Sequence, residues 1–270
     1  MNLIPDLTNL EGTLGRICRA RLEDYANASL AEFPIDRPER SSQFSGGRFE
    51  AALSKPGLHL IAELKRSSPR GEINAGLNAI ETAQAYATGG ASALSVLTEP
   101  RDFLGSLEDL REVIANVNLP VLRKDFTVHP KMILEARDAG ASAVLLLVNV
   151  LGKLTKPYLE ITHDCGLDAL VEIHTEPELE IAIDAGAQII GINNRDLKTL
   201  EINTGTAPRL GQLARQDDFE GPLLALSGYS NRAELIALEG LFNAVLVGSS
   251  LAGAGDAGQI VAATKGLLGR

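Results

Sequence analysis

Four short stretches carry ionisable or amide side chains at what would be strand ends: Glu63-Leu64-Lys65, Glu172-Ile173-His174 and Asn193-Asn194-Arg195 place them two residues apart, and Lys124-Asp125-Phe126 places two side by side. A lysine can give a proton to a developing oxyanion and a carboxylate can take one back. Glu63, Lys65, Lys124 and Glu172 are therefore candidates for general acid–base chemistry. A half-buried lysine beside a second cation loses basicity and becomes a general acid near neutral pH. Two more stretches, Ser227-Gly228 and Gly248-Ser249-Ser250, join hydroxyls to glycine. Backbone N–H groups that approach closely at glycine, helped by a hydroxyl, make a phosphate cradle. Taken singly, each of these is an ordinary strand-end polar residue or a turn, so the chemistry depends on the fold bringing them together.

Eight apolar runs of strand length recur after residue 57: Leu58–Glu63, Ala93–Leu97, Pro120–Lys124, Ala143–Val148, Ala169–Ile173, Ile189–Asn193, Leu223–Ser227 and Asn243–Gly248. Several are near-continuous in Val, Ile, Leu and Ala, the pattern of parallel strands buried on both faces. Segments with helical spacing lie between them, among them Asn78–Ala87, Lys131–Ala139, Glu176–Ala185 and Arg232–Gly240. The joints Gly90-Ala91-Ser92, Gly140-Ala141-Ser142 and Gly186-Ala187-Gln188 repeat one pattern, with glycine where a helix ends. Eight strands alternating with helices predict an α/β fold, a (β/α)8 TIM barrel over residues 58–270. An open doubly wound sheet is the competing arrangement. In a barrel the C-terminal strand ends share one mouth, and the last two loops are where many barrels hold phosphate.

Residues 1–57 read as an N-terminal helical extension packed on the barrel, the whole forming a single domain. Leu14–Asn27 has the spacing of an amphipathic helix, with Leu14, Ile17, Cys18, Leu22 and Tyr25 toward one side. Phe33–Gly47, rich in proline, serine and glycine, reads as a loop. Arg66-Ser67-Ser68-Pro69-Arg70-Gly71, just after the first strand, reads as a solvated basic loop or a lid closing on an anion.

The net charge of −10 argues against a nucleic-acid or anionic-membrane partner, which needs basic surface. Any anionic ligand must be held by a few local cations. No run approaches a membrane span, and Met1–Asp6 has neither the basic region nor the apolar stretch of a signal peptide. The only cysteines, Cys18 and Cys165, fit a reducing cytoplasm. The four histidines, His59, His129, His163 and His174, show no metal-ligand spacing, so no metal is expected. His174 falls near the expected mouth. The glycines of Gly253–Gly258 imitate a dinucleotide motif but do not follow a strand directly, and read as a turn before the last helix.

Six stretches, in this order, resemble the indole-3-glycerol-phosphate synthase family of tryptophan biosynthesis. They are Ile61–Pro69, Ser95–Glu99, Leu122–Phe126, Val171–His174, Gly191–Leu197 and Val247–Ser250. The resemblance implies a carboxy-lyase that closes 1-(2-carboxyphenylamino)-1-deoxyribulose 5-phosphate to an indole ring with loss of CO2 and water. It implies no cofactor. By the same resemblance Lys124 is the general acid and Glu172 its partner acid/base. Lys65 meets the substrate carboxylate, while Glu63 and Asn193 hold sugar hydroxyls and orient the lysines. Arg195 supports this network, and Phe103 and Phe126 contact the anthranilate ring. Phosphate falls on Ser68, Ser227, Gly228, Gly248 and Ser249. The chain departs from the family at Leu226, where a glutamate is usual, at Leu104, where a small or amide residue is usual, and over Val128–Lys131. Two other readings remain: a different phosphate-binding barrel such as a sugar-phosphate isomerase, and a weakly active or non-catalytic paralogue binding a phosphorylated anthranilate or indole ligand. Leu226 is the feature that favours the last.

Overall fold

The computed structural model describes residues 2–29 and 47–269. Eight parallel strands close into a barrel: β1 (His59–Leu64), β2 (Ala93–Leu97), β3 (Val121–Lys124), β4 (Ala143–Leu147), β5 (Asp168–Ile173), β6 (Ile189–Asn193), β7 (Leu223–Leu226) and β8 (Ala244–Val247). Each pairs with the next, and β8 returns to β1 with His59 opposite Ala244. The fold is the (β/α)8 barrel, not the open sheet. Every strand lies within one residue of its apolar run, because the runs were continuous enough to leave little choice of boundary.

Alternate strand residues divide between two cores. Along β1, Leu60, Ala62 and Leu64 face outward onto helices, while Ile61 faces the barrel interior. The same parity sends Leu122, Leu170 and Leu224 inward from β3, β5 and β7. Two residues further on stand Glu63, Lys124, Glu172 and Leu226, which form one layer at the C-terminal end, contributed by alternate strands. The candidate acid–base residues therefore sit on the top layer of a filled barrel.

Helices α1 (Gly12–Asp24) and α2 (Arg48–Leu53) precede β1. Around the barrel follow α3 (Ala79–Gly89), α4 (Leu107–Asn116), α5 (Lys131–Asp138), α6 (Val148–Leu151), α7 (Thr155–Asp164), α8 (Glu176–Ala185), α9 (Thr206–Gln216), α10 (Arg232–Ile236), α11 (Ser249–Ala252) and α12 (Ala257–Leu268). Asn78, Ser106, Thr175, Asn231 and Asp256 cap five of them, each side chain accepting a backbone N–H of the first turn. The joints Gly90, Gly140 and Gly186 all adopt positive φ. The helix expected over Arg232–Gly240 is shorter, because Leu238 N–H turns back to the Leu235 carbonyl at 3.0 Å in a tight three-residue step. The glycine-rich stretch before α12 is a turn, with Asp256 and Gln259 forming a reciprocal cap.

The two helices before β1 occupy opposite ends. α2 closes the N-terminal end, burying Phe49 and Leu53 completely among inward residues such as Ile61 and Leu170. Asp168, the first residue of β5, accepts the N–H groups of Gly47 at 2.7 Å, Phe49 at 2.9 Å and Glu50 at 3.1 Å. α1 lies over the mouth and buries Leu14, Ile17 and Cys18, as its spacing predicts. It ends at Asp24, short of the expected Asn27. Of the expected loop Phe33–Gly47, all but Gly47 lies outside the described residues. Among the described residues no helix is long and apolar enough to cross a membrane.

Candidate active site

The top layer opens into a cavity of about 410 Å³, within the range of small-molecule sites. Two ion pairs form its floor. Lys124, the last residue of β3, donates from Nζ to Glu172 Oε2 at 2.9 Å, and Asn193 Nδ2 donates to Glu172 Oε1 at 2.8 Å. Lys65, one residue past β1, places Nζ 3.4 Å from Glu63 Oε1, while Ser95 Oγ donates to Glu63 Oε2 at 3.2 Å. Each lysine thus meets a carboxylate where the sequence suggested a neighbouring cation: Lys124 on β3 reaches Glu172 on the alternate strand β5, and Lys65 turns back to Glu63 at the end of its own strand. Burial alone would push the Glu172 carboxyl up. Lys124, His174 and the Asn193 amide outweigh it and hold Glu172 below the usual carboxylate range.

Two aromatic rings meet at the cavity. Phe103 and Phe126 lie 5.9 Å apart between ring centres, and Lys65 Nζ stands 5.4 Å over the Phe103 ring. Phe103 is fixed by the completely buried Glu99, whose carboxylate accepts the N–H groups of Arg101, Asp102 and Phe103. Leu104, next to it, has φ +53°. That left-handed conformation suits glycine or asparagine and gives a physical reason for the family's small or amide residue there.

Ser68, Arg195, Ser227 and Ser249 line the same cavity. Gly228 and Gly248 do not; each stands just beyond the lining, beside a serine that does. Gly248 still shapes the floor: a Cβ there would lie 2.6 Å from Glu63 Oε1, so the carboxylate occupies space that only glycine leaves. Ser227 adopts φ +64° at the end of β7. Asn194 holds this turn, donating to the Ser227 carbonyl at 2.9 Å and to Tyr229 Oη at 3.0 Å. Arg195 donates from its guanidinium to the Leu200 carbonyl at 3.1 Å. Burial and the facing Arg70 push Arg195 below its usual range, against the pull of Glu63.

The expected lid is in part anchored. Ser67–Ser68 pairs with Gly71–Glu72 as a small antiparallel ribbon. Arg66 is bound to both Asp109 oxygens, at 2.7 and 2.8 Å, in a half-buried attachment. Ser68, Pro69, Arg70 and Gly71 of this loop line the cavity, and Arg70 is the cation among them.

Sequence reasoning missed the attachment of α1. Arg21 forms two bonds to Asp125, at 3.0 and 2.9 Å, and Thr98 Oγ1 donates to Asp125 Oδ2 at 2.6 Å. Burial raises the Asp125 carboxyl, but Arg123 and Arg21 more than reverse this and hold it below the usual range. Asp24 binds Arg101, and Arg16 binds Asp102, so α1 also grips the loop that carries Phe103. Charge-bearing positions in a mostly apolar helix stripe were the available signal. Their partners lie too far along the chain to be paired by spacing. The departure at Val128–Lys131 belongs to the same contact, where the His129 ring stacks on Tyr25 at 5.6 Å. Leu226 is buried in the top layer and adds an apolar quarter to an otherwise charged ring. Among the described residues no cluster of histidine, cysteine and carboxylate side chains could hold a metal ion.

Solved barrels share the architecture. The chain superposes on tryptophan synthase subunit alpha from Legionella pneumophila with a TM-score of 0.60 and 13% identity, covering 82% of this chain and 97% of that one. For the 2-keto-3-deoxy-6-phosphogluconate aldolase of Zymomonas mobilis the values are 0.61 and 17%, covering 81% and 94%. At such identities the likeness shows the fold alone. Sequence relatives are far nearer. An indole-3-glycerol phosphate synthase of Deinococcus radiodurans is 49% identical over 272 residues, covering 98% of both chains. One from Lactiplantibacillus plantarum is 45% identical over 217 residues, covering 79% of this chain and 82% of the relative. The profile of the family described as indole-3-glycerol phosphate synthase matches residues 14–264. A family match over nearly the whole chain and relatives at 45–49% identity agree: the chain belongs to the indole-3-glycerol phosphate synthase family.

Proposed function

We propose that the two ion pairs on the cavity floor carry out the ring closure of 1-(2-carboxyphenylamino)-1-deoxyribulose 5-phosphate to indole-3-glycerol phosphate. The observation that carries this reading is the Lys124–Glu172 bond at 2.9 Å, buried beneath a cavity whose other amine, Lys65, stands over an aromatic ring. Lys124 protonates the ribulose ketone as the aryl carbon attacks it, forming the new carbon–carbon bond. Loss of CO2 from that aryl carbon restores the ring. Water then leaves from the former ketone carbon, with Glu172 and Lys124 exchanging the protons. A carboxylate already held below its usual range is ready to accept a proton only once Lys124 has given one up.

Lys65 binds the substrate carboxylate, and its position above Phe103 keeps that charge beside the anthranilate ring enclosed by Phe103 and Phe126. Glu63 and Asn193 take sugar hydroxyls and orient the two lysines. The phosphate sits at the rim, on Ser68, Ser227 and Ser249 and on the backbone of Gly228 and Gly248, with Arg195 and Arg70 facing it. Four cations at one mouth reconcile a polyanionic substrate with a chain of net charge −10. The chemistry runs on proton transfer and calls for no redox cofactor or metal. The same charge disfavours a nucleic-acid partner, and we assign the chain to the cytoplasm as a single domain, with residues 1–57 as an extension on the barrel.

The test is indole fluorescence from the purified chain given the carboxyphenylamino substrate. Product formation that follows enzyme concentration supports the reading. No product above background at high enzyme overturns it and leaves the non-catalytic ligand-binding reading.

A further inference from the structure

We propose that His174 is a positioning residue for the Lys124–Glu172 pair, its imidazole bridging Glu178 to Glu172 and keeping the Glu172 carboxylate aimed and charged. This rests on the acid–base reading above and deepens it. His174 follows Glu172 by two residues, one position past the end of β5, and continues the direction of Glu172 off the strand end. Two residues, His174 and Thr175, connect β5 to α8. Glu178, in the first turn of α8, reaches back: its Oε2 accepts the His174 backbone N–H at 2.7 Å and lies 3.2 Å from Nδ1. The ring is therefore clamped from behind. Its other nitrogen, Nε2, is buried without a hydrogen-bond partner and lies 3.6 Å from Glu172 Oε1.

This leaves one consistent protonation pattern. With Nδ1 donating to Glu178, a neutral ring would aim the Nε2 lone pair at the Glu172 carboxylate. A protonated ring aims an N–H there, and a small closure of the 3.6 Å gap completes the bond. The groups facing the ring favour this form. Glu172 on β5, Glu178 on α8 and Asp196 in the loop after β6 oppose the single ammonium of Lys124 on β3. Burial works against the imidazolium, but the two glutamates outweigh it and raise His174 above the usual histidine range. Glu172 is thus held from three sides, by Lys124 on Oε2 and by Asn193 and His174 on Oε1. When Lys124 hands its proton to the substrate, His174 is the cation that remains beside Glu172.

Two measurements test this. In His174→Gln the loss of a cation within a few ångströms of the carboxylate raises the Glu172 pKa. The acid limb of the kcat profile then moves up by about one pH unit while KM stays near the parent value. Independently of turnover, the His174 ring resonance, assigned by its disappearance in that variant, titrates at lower pH in Glu172→Gln and in Glu178→Gln than in the parent. Should His174→Gln not fold, replacing His59, His129 and His163 in turn gives the assignment. An unmoved acid limb in His174→Gln overturns the proposal, as does a His174 titration indifferent to Glu172→Gln. Because the titration needs no product, a chain that makes no indole would sink the assigned reaction and leave the imidazole–carboxylate coupling to be judged by itself.

Discussion

The segments before β1 meet the barrel at both ends, and each contact is organised around one buried aspartate, with different chemistry. At the N-terminal end Asp168 accepts the N–H groups of Gly47, Phe49 and Glu50 at the start of α2, and the plug is apolar at its centre, with Phe49 and Leu53 completely buried. At the mouth Asp125 accepts Arg21 and Thr98, one residue from Lys124 and from Phe126. The first contact seals; the second both attaches α1 and pins the residues that line the cavity. Backbone strain follows the same division. Leu104, Leu200 and Ser227, three of the four non-glycine residues with positive φ among the described residues, lie at or beside the mouth. One end of the barrel can be read as stability alone, while the other cannot be changed without touching the site.

The largest effect is expected at the mouth and on rate alone. Lys124→Ala should lower kcat by at least about a hundredfold, the scale of a lost general acid, with KM little changed. Initial rates of indole fluorescence check this, and near-normal kcat would remove Lys124 from its assigned role. Phe49→Ala, at the opposite end, should cost about 3–5 kcal/mol of stability in urea unfolding, with kcat per folded molecule unchanged. Asp125→Ala should cost a similar amount, about 3–5 kcal/mol, because it leaves two guanidinium groups without their buried partner, and it should raise KM as well. If Phe49→Ala also impaired catalysis, or Asp125→Ala did not, the division between the ends would break.

Acid sharpens the comparison. Asp125 and Glu172 are both held below the usual carboxylate range, so the stability they contribute is present above about pH 4. It is lost as pH falls through their folded-state values. Urea midpoints taken from pH 7 downward should therefore show a shallower acid decline in Asp125→Ala. Phe49→Ala should lower the whole curve without changing its slope. The smallest effect is expected from Leu226→Glu, which completes the charged ring. It should shift the pH profile of kcat by up to about one unit. An unmoved profile means that the apolar quarter of the ring is silent.

How much of this could be read in advance differs by element. Strands with near-continuous apolar runs, such as Ala93–Leu97 and Ile189–Asn193, were located to the residue, since a strand buried on both faces stands out from the polar turns that flank it. Their places at strand ends also put Glu63, Lys124 and Glu172 at one shared mouth from sequence alone. What spacing could not supply was the placement of pieces too short to show a period. The six-residue α2 has no repeat to detect, and its N-cap partner Asp168 comes more than a hundred positions later. The Arg21–Asp125 pair is hidden for the same reason. Arg66–Gly71 read as a solvated basic loop or a lid because the anchor of Arg66, Asp109, lies 43 positions further along the chain, on α4.

The pairing of His59 with Ala244 makes β1 and β8 neighbours. A growing chain emerging from the ribosome cannot seal the cylinder until its final strand has been made, and the earlier strands wait with one flank unpaired. Long-range closure of this kind slows folding and prolongs the exposure of sticky intermediates. The seam between the first and last strands is where chaperone assistance during synthesis would have most to offer.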